Sequence, residues 1–204
     1  MATAFASALS VLRQGGVSIR PVNVGDMLDK LAGFNEMIMF YEGARFHKER
    51  FEQYGSRLED LADLVREGLK IPAERYEKAQ QYIAESKRRM ATLLKATPVI
   101  VFPAAPGPAP LGLSSTGNAK MNAPWTALGD PAISIPMPVG SALPLGLQLT
   151  ADYGQDTRVL RDCRERAEDS RRRLTTRFAC AENLNVAFIA RAPMTLIHHD
   201  PALR

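Results

Sequence analysis

Only two of the 204 residues are cysteine, three are histidine and one is tryptophan. Cys163 and Cys180 stand on separate segments, with neither the dense even pattern of a disulfide scaffold nor the CxxC spacing of a zinc or redox site, so a reducing, cytoplasmic setting is expected. No apolar run approaches about 18 residues, and no membrane-spanning helix is expected. The apolar start lacks a basic stretch before it and meets Arg13 soon after, which does not fit a signal peptide. Excess charge is missing from most of the chain as well, since residues 1–169 hold 20 Lys and Arg against 20 Asp and Glu. The net +4 and the pI near 9.2 arise in residues 170–204, with 6 basic and 2 acidic side chains. A body without basic excess argues against nucleic acid or an anionic membrane as its partner.

What is present in the first half is helical in pattern. Residues 4–14 place Phe5, Ala8, Leu9 and Leu12 on one face, and Gly15-Gly16 stop the run. Val17 and Ile19 alternate with Ser18 and Arg20 before Pro21, as in a short strand. From Asp26 to about Tyr54 the spacing of Leu28, Leu31, Ile38, Tyr41, Phe46 and Phe51 predicts helix, with Gly33 and Gly43 as weak points and Gly55 as its end. Ser56 and Glu59 have capping-box spacing and predict a new helix start, with Leu58, Leu61, Leu64 and Val65 as its apolar stripe. Gly68 suits the end of that helix, and Pro72 suits the first turn of the next. There Tyr76, Ala79, Ile83, Met90 and Leu94 share one face while charged residues fill the other.

Between residues 96 and 151 charge all but disappears: Lys120 and Asp130 are the 2 charged side chains, while 10 of the 14 prolines fall between Pro98 and Pro144. A flexible linker would lack the apolar strands Val99 to Phe102, Ala132 to Ile135 and Leu145 to Leu149, whose scarcity of charge predicts burial on both faces. Pro103, Pro106, Pro108 and Pro110 predict a rigid, extended loop leaving a strand end. A final helix is expected from Asp156 to Asp169, with Val159 and Leu160 inward. The outline is α/β, a mixed β-sheet flanked by helices. It comprises a helix-rich first half over 1–96, a strand and Pro-rich core over 97–151, the last helix over 156–169, and a basic tail over 170–204.

The segments TPVIVFPAAPGPAP and STGNAKMNAPWTALGDPAISIPMPVGSALPLGLQLTADYGQDTRVLR resemble the C-terminal part of an amidase of the amidase signature family. The most specific pieces are NAPWTALGDPAISIP, where Trp125 precedes a Gly-x-Pro-Ala turn into a strand, and LPLGLQL from Leu143 to Leu149. Residues 8–21 and 68–76 are similar more loosely, so the resemblance spans 4–169 and is strongest over 97–161. Thr97-Pro98 and Asn118 depart from the residues usual in the family, and nothing after Asp169 has a counterpart. The resemblance implies the C-terminal portion of the amidase signature fold and, for a complete enzyme, hydrolysis of carboxylic amides at the C–N bond.

What the resemblance leaves out bears on function. In the family, a Gly/Ser-rich segment N-terminal to everything present here supplies a nucleophilic serine and a second serine, and a lysine further upstream acts as base. A serine hydroxyl attacks only when its proton is taken; a desolvated lysine can take it through a second hydroxyl, and glycine-turn amides hold the oxyanion. Ser114-Ser115 between Gly112 and Gly117, with Lys120 nearby, imitates this set. It follows the Pro-rich loop, however, and lacks the double glycines that let amides converge, so no catalytic residue is expected in this chain. His47 has no Cys or acid at ligand spacing, and the adjacent His198 and His199 do not converge on one ion, so neither a metal nor a cofactor is expected. The resemblance implies pocket-side, substrate-binding positions at Thr116, Asn122 and Trp125, and Trp125 equally suits the core as a large apolar body. Cys163 reads as a small buried hydrophobe.

Half of a shared sheet is costly to leave bare. An uncovered face on the order of 1,000 Å² would forfeit about 25 kcal/mol at most, against a whole-domain stability of about 5–15 kcal/mol. The chain is therefore expected to repack, to form homo-oligomers or to aggregate through its edges, unless another chain supplies the N-terminal catalytic half. Three readings stay open: a truncated or split amidase inactive alone, a non-catalytic interaction protein using its helical half or basic tail, and a gene fragment without selected function. The tail itself is a flexible extension or read-through past a disrupted frame.

Overall fold

The computed structural model describes residues 1–137, 139 and 143–161, together with the backbone of 185–189. Helix α1 (Ala2–Gln14) turns through Gly16, whose φ of 87° is open to glycine at no steric cost, into strand β1 (Ser18–Val22). Four helices follow: α2 (Gly25–Phe46), α3 (Lys48–Tyr54), α4 (Asp60–Leu69) and α5 (Ala73–Ala96). Then come β2 (Val99–Pro103), α6 (Ala123–Leu128), β3 (Ala132–Met137), β4 (Leu145–Thr150) and β5 (Asn185–Ile189). Residues 156–161 are also helical, and the rest of the helix expected to Asp169 lies outside the described residues.

The strands form one mixed sheet in the order β1-β5-β2-β4-β3. β5 runs parallel to both β1 and β2, while β4 is antiparallel to β2 and β3. Pro21 and Pro136 lie in β1 and β3, the two edge strands, where a missing N–H can face away from the ladder. β5 comes from within residues 170–204, the stretch read from sequence as a basic tail.

β2 carries the core on both of its faces. Val99 and Val101 join Leu147 and Leu149 of β4 and Leu9 and Leu12 of α1. Ile100 and Phe102, one residue out of phase, join Leu31 of α2, Met90 and Leu94 of α5 and Leu128 of α6. Because alternate side chains leave a strand on opposite faces, only a strand without polar positions can serve two cores at once. β3 departs from the expected double burial: Ala132, Ser134 and Pro136 are exposed. It closes the sheet edge with one face covered, so scarcity of charge there reports proximity to the core, not enclosure.

The helices bring two further corrections. α2 runs unbroken through Gly33 and Gly43, and the break falls instead at His47, between α2 and α3. The capping box at Ser56 and Glu59 does not form. Gly55 to Leu58 make a single 3-10 turn, and the Glu59 amide that a capping serine would need donates to the Ser56 carbonyl at 3.1 Å. α4 accordingly starts at Asp60. Gly68 falls at the end of α4 as expected, one residue before its last, and its smallness also answers to the crossing of α2: an added Cβ would overlap the Phe40 carbonyl oxygen and lie 2.5 Å from Ala44 Cβ. Arg45 of α2 strengthens that crossing, donating to the carbonyls of Tyr41 at 2.9 Å, Gly68 at 3.3 Å and Ile71 at 3.4 Å. Pro72 stands immediately before α5 as its N-cap residue.

Candidate functional site

The stretch with the most specific motifs builds the surface at the end of β2. Past Pro103 the Ala104 amide donates to the Gly146 carbonyl at 2.8 Å, continuing the β2–β4 pairing into the Pro-rich loop. Gly146 cannot carry a side chain, since a Cβ would lie 2.8 Å from Ala104 Cβ and closer still to Ser134 Oγ. Asn122 Nδ2 donates to the Ala104 carbonyl at 3.3 Å, tying the start of α6 to the chain leaving β2. Gly129 then ends α6 at φ 73°, with its amide donating to the Trp125 carbonyl at 2.8 Å. A left-handed residue at this position is the common helix stop, and it turns the chain through Pro131 into β3.

The structure separates the three expected substrate-side residues. Trp125 is 2% exposed and stacks on Phe102 with ring centroids 4.7 Å apart and planes 26° from parallel. It fills the core between α6 and β2. Thr116 and Asn122 are exposed, Thr116 on the loop and Asn122 at the start of α6. Leu111 and Leu113 of the same loop are fully exposed.

The serine and lysine candidates are each engaged elsewhere. Ser115 Oγ accepts the Gly117 amide at 3.1 Å, a local turn bond, and Lys120 Nζ lies 3.1 Å from Asp29 of α2. His47 sits at the α2–α3 junction with its Nδ1 buried and lacking a hydrogen-bond partner. Among the described residues no group of three His, Cys, Asp or Glu side chains could hold a metal. No helix among them is long and apolar enough to cross a membrane. Cys163, Cys180, His198 and His199 lie outside the described residues.

One titratable group escaped the sequence reading of this region. Burial pushes the Asp130 carboxyl up to about 7; neighbouring Asp152 adds to the effect and Lys87 of α5 opposes it. Its Oδ2 is buried without a hydrogen-bond partner. The signal available in sequence was its isolation, one acid in a stretch with a single other charge.

Comparison with known proteins agrees with this architecture. The family model described as Amidase matches residues 1–160. A glutamyl-tRNA(Gln) amidotransferase subunit from Thermus thermophilus is 26% identical, with 78% of this chain and 40% of that protein covered. An amidase crystal structure is similar with a TM-score of 0.69 and 23% identity, covering 78% of this chain and 39% of the other. A 6-aminohexanoate cyclic dimer hydrolase complexed with substrate follows at a TM-score of 0.59 and 19% identity, again with 78% and 39% covered. These structures share the fold, and the chain spans about 40% of the length of the relatives it matches. With most of its length matched, including the Trp125, Gly129 and Gly146 motifs, the chain belongs to the amidase family.

Proposed function

We propose that this chain is the structural and pocket-wall part of a truncated or split hydrolase of carboxylic amide C–N bonds, inactive by itself, whose nucleophile, second hydroxyl and base belong to the N-terminal part of the enzyme that these residues do not include. The observation that carries the reading is coverage: 160 matched residues stand for only about two fifths of the relatives' length. The contacts that Ser115 and Lys120 make support it, since Ser115 Oγ accepts a local turn amide and Lys120 pairs with Asp29. The reading places this chain in the cytoplasm, with no cofactor.

In the completed particle Thr116 and Asn122 face the substrate. The Asn122 amide nitrogen is spent on the Ala104 carbonyl, which leaves its Oδ1 to accept from a substrate amide N–H. Trp125 acts indirectly, holding α6, and with it Asn122, against β2. The complementing chain supplies the activated serine and the oxyanion donors, the groups that a hydroxyl nucleophile needs before it can attack an amide.

The test is complementation. Mixed with a separately expressed N-terminal part of an amidase relative, the chain should release ammonia from primary amides, and the rate should vanish when that part's nucleophilic serine is replaced. Unchanged inactivity of a mixture shown to associate would overturn the reading. A non-catalytic interaction role is the second reading, favoured by the full exposure of Leu111 and Leu113. It predicts a partner without amidase segments whose binding is lost in Leu111→Asp/Leu113→Asp.

A further inference from the structure

The family match ends at residue 160, yet an interior strand of the sheet is drawn from residues 185–189. Its register is continuous on both sides: Ser18 to Val22 of β1 face Asn185 to Ile189, and Val99 to Val101 of β2 face Val186 to Phe188. Among the described strands β1 pairs with β5 alone, while its Arg20 side chain reaches past that strand to donate to Thr97 just before β2. With β5 removed, β1 and β2 would stand two strand spacings apart, roughly 9–10 Å, with two rows of unpaired backbone groups facing across the gap. β1 and β2 both fall inside the matched segment. Relatives more than twice as long have ample chain outside the matched portion from which a strand at this position could be drawn.

We propose that the slot between β1 and β2 is a strand acceptor, and that residues 185–189 are a self-supplied stand-in for a strand that a complementing amidase chain would insert. The sequence Asn-Val-Ala-Phe-Ile has the apolar composition of an interior parallel strand. Main-chain pairing tolerates different side chains, so an extended apolar segment of another chain can take the same position by strand addition. The stand-in then guards the slot: it closes two aggregation-prone edges in the free chain and must leave before a partner docks. This rests on the reading of the chain as one part of an amidase.

Hydrogen exchange on the full chain tests it. Val186→Pro/Phe188→Pro removes ladder donors from β5. Residues 18–22 should then lose their protection, while the β3–β4 amides keep theirs. A synthetic peptide copying residues 183–191 should bind this variant, restore protection at 18–22, and leave the wild-type protein unbound. Unchanged protection of β1 in the variant, or failure of the peptide to bind a variant with intact β3–β4 protection, overturns the proposal. If the proline variant unfolds, the register itself supplies the test. In a Cys163→Ala/Cys180→Ala background, Ser18→Cys/Asn185→Cys should oxidise to an intramolecular crosslink, because directly paired residues lie within disulfide reach. Absence of that crosslink overturns it equally. None of these readouts involves amide hydrolysis, so complementation can fail while the strand keeps its place, and the reverse.

Discussion

Trp125 lies stacked on Phe102 with centroids 4.7 Å apart, at the seam between α6 and the central strand β2. The pair places the indole in the core, where it packs α6, the helix that begins just after Asn122, against β2. Trp125→Ala should cost about 3–5 kcal/mol, the usual loss for emptying an aromatic core site. Denaturant unfolding would read this as a lower midpoint at unchanged slope. A loss below about 1 kcal/mol would return Trp125 to the role of a pocket wall.

Two glycines in helices should respond oppositely to the same change. At Gly68 a methyl would collide with the backbone of α2, and Gly68→Ala should destabilise by about 1–3 kcal/mol. At Gly33 nothing lies within 4 Å, and Gly33→Ala in mid-helix should stabilise by about 0.5–1 kcal/mol. Thermal unfolding of the two variants checks the signs, and equal signs would contradict the close crossing at Gly68.

Glu59 adopts φ 50° and ψ −125°, nearly the conformation of Gly55 at φ 56° and ψ −133°. Glycine holds this backbone at no steric cost, whereas a side chain there is strained by about 1–3 kcal/mol. Glu59→Gly should therefore raise stability by about 1 kcal/mol once the added freedom of the unfolded glycine is deducted. A melting temperature that falls would show that the strain is not present.

Asp130 predicts a pH dependence of definite sign. Its carboxyl titrates at about 7 when folded and at the ordinary carboxylate value when unfolded, so between those values the folded chain keeps a proton that the unfolded chain has lost. Stability from this group is full below the unfolded value and is lost as pH rises through about 7. Asp130→Asn removes the penalty; its advantage over wild type should be absent near pH 3.5, grow from pH 4 to 7 and then level off. Partial exposure of the site limits the gain to about 1–2 kcal/mol. A stability difference that does not vary with pH would contradict the burial-driven shift.

Local pattern carried the elements whose physics is local. Val99 to Phe102 has no polar position, and it serves two cores; Tyr76 to Leu94 has helical spacing, and it forms one long helix. Where the deciding contact was distant, local signals misled. Gly68 marks the end of α4 as its sequence position suggests, yet the reason that only glycine fits there is Phe40 of α2, 28 positions earlier. The capping spacing of Ser56 and Glu59 was overridden by the turn at Gly55, which consumed the amide the cap required. The motif around Asn122 was legible, and its side chain ties the start of α6 to the chain leaving β2, whereas the burial of Trp125 depended on Phe102 across the α6–β2 seam. β5 was the hardest to foresee, because its partners are separated from it by more than 80 residues in chain order.

The central claim is that this amidase-family chain supplies a frame without a nucleophile. The most direct measurement is ammonia or amine release by the purified chain alone from a panel of primary and aryl amides. The account predicts no rate above buffer, in wild type and in Ser115→Ala alike. A clear wild-type rate that disappears in Ser115→Ala would contradict it.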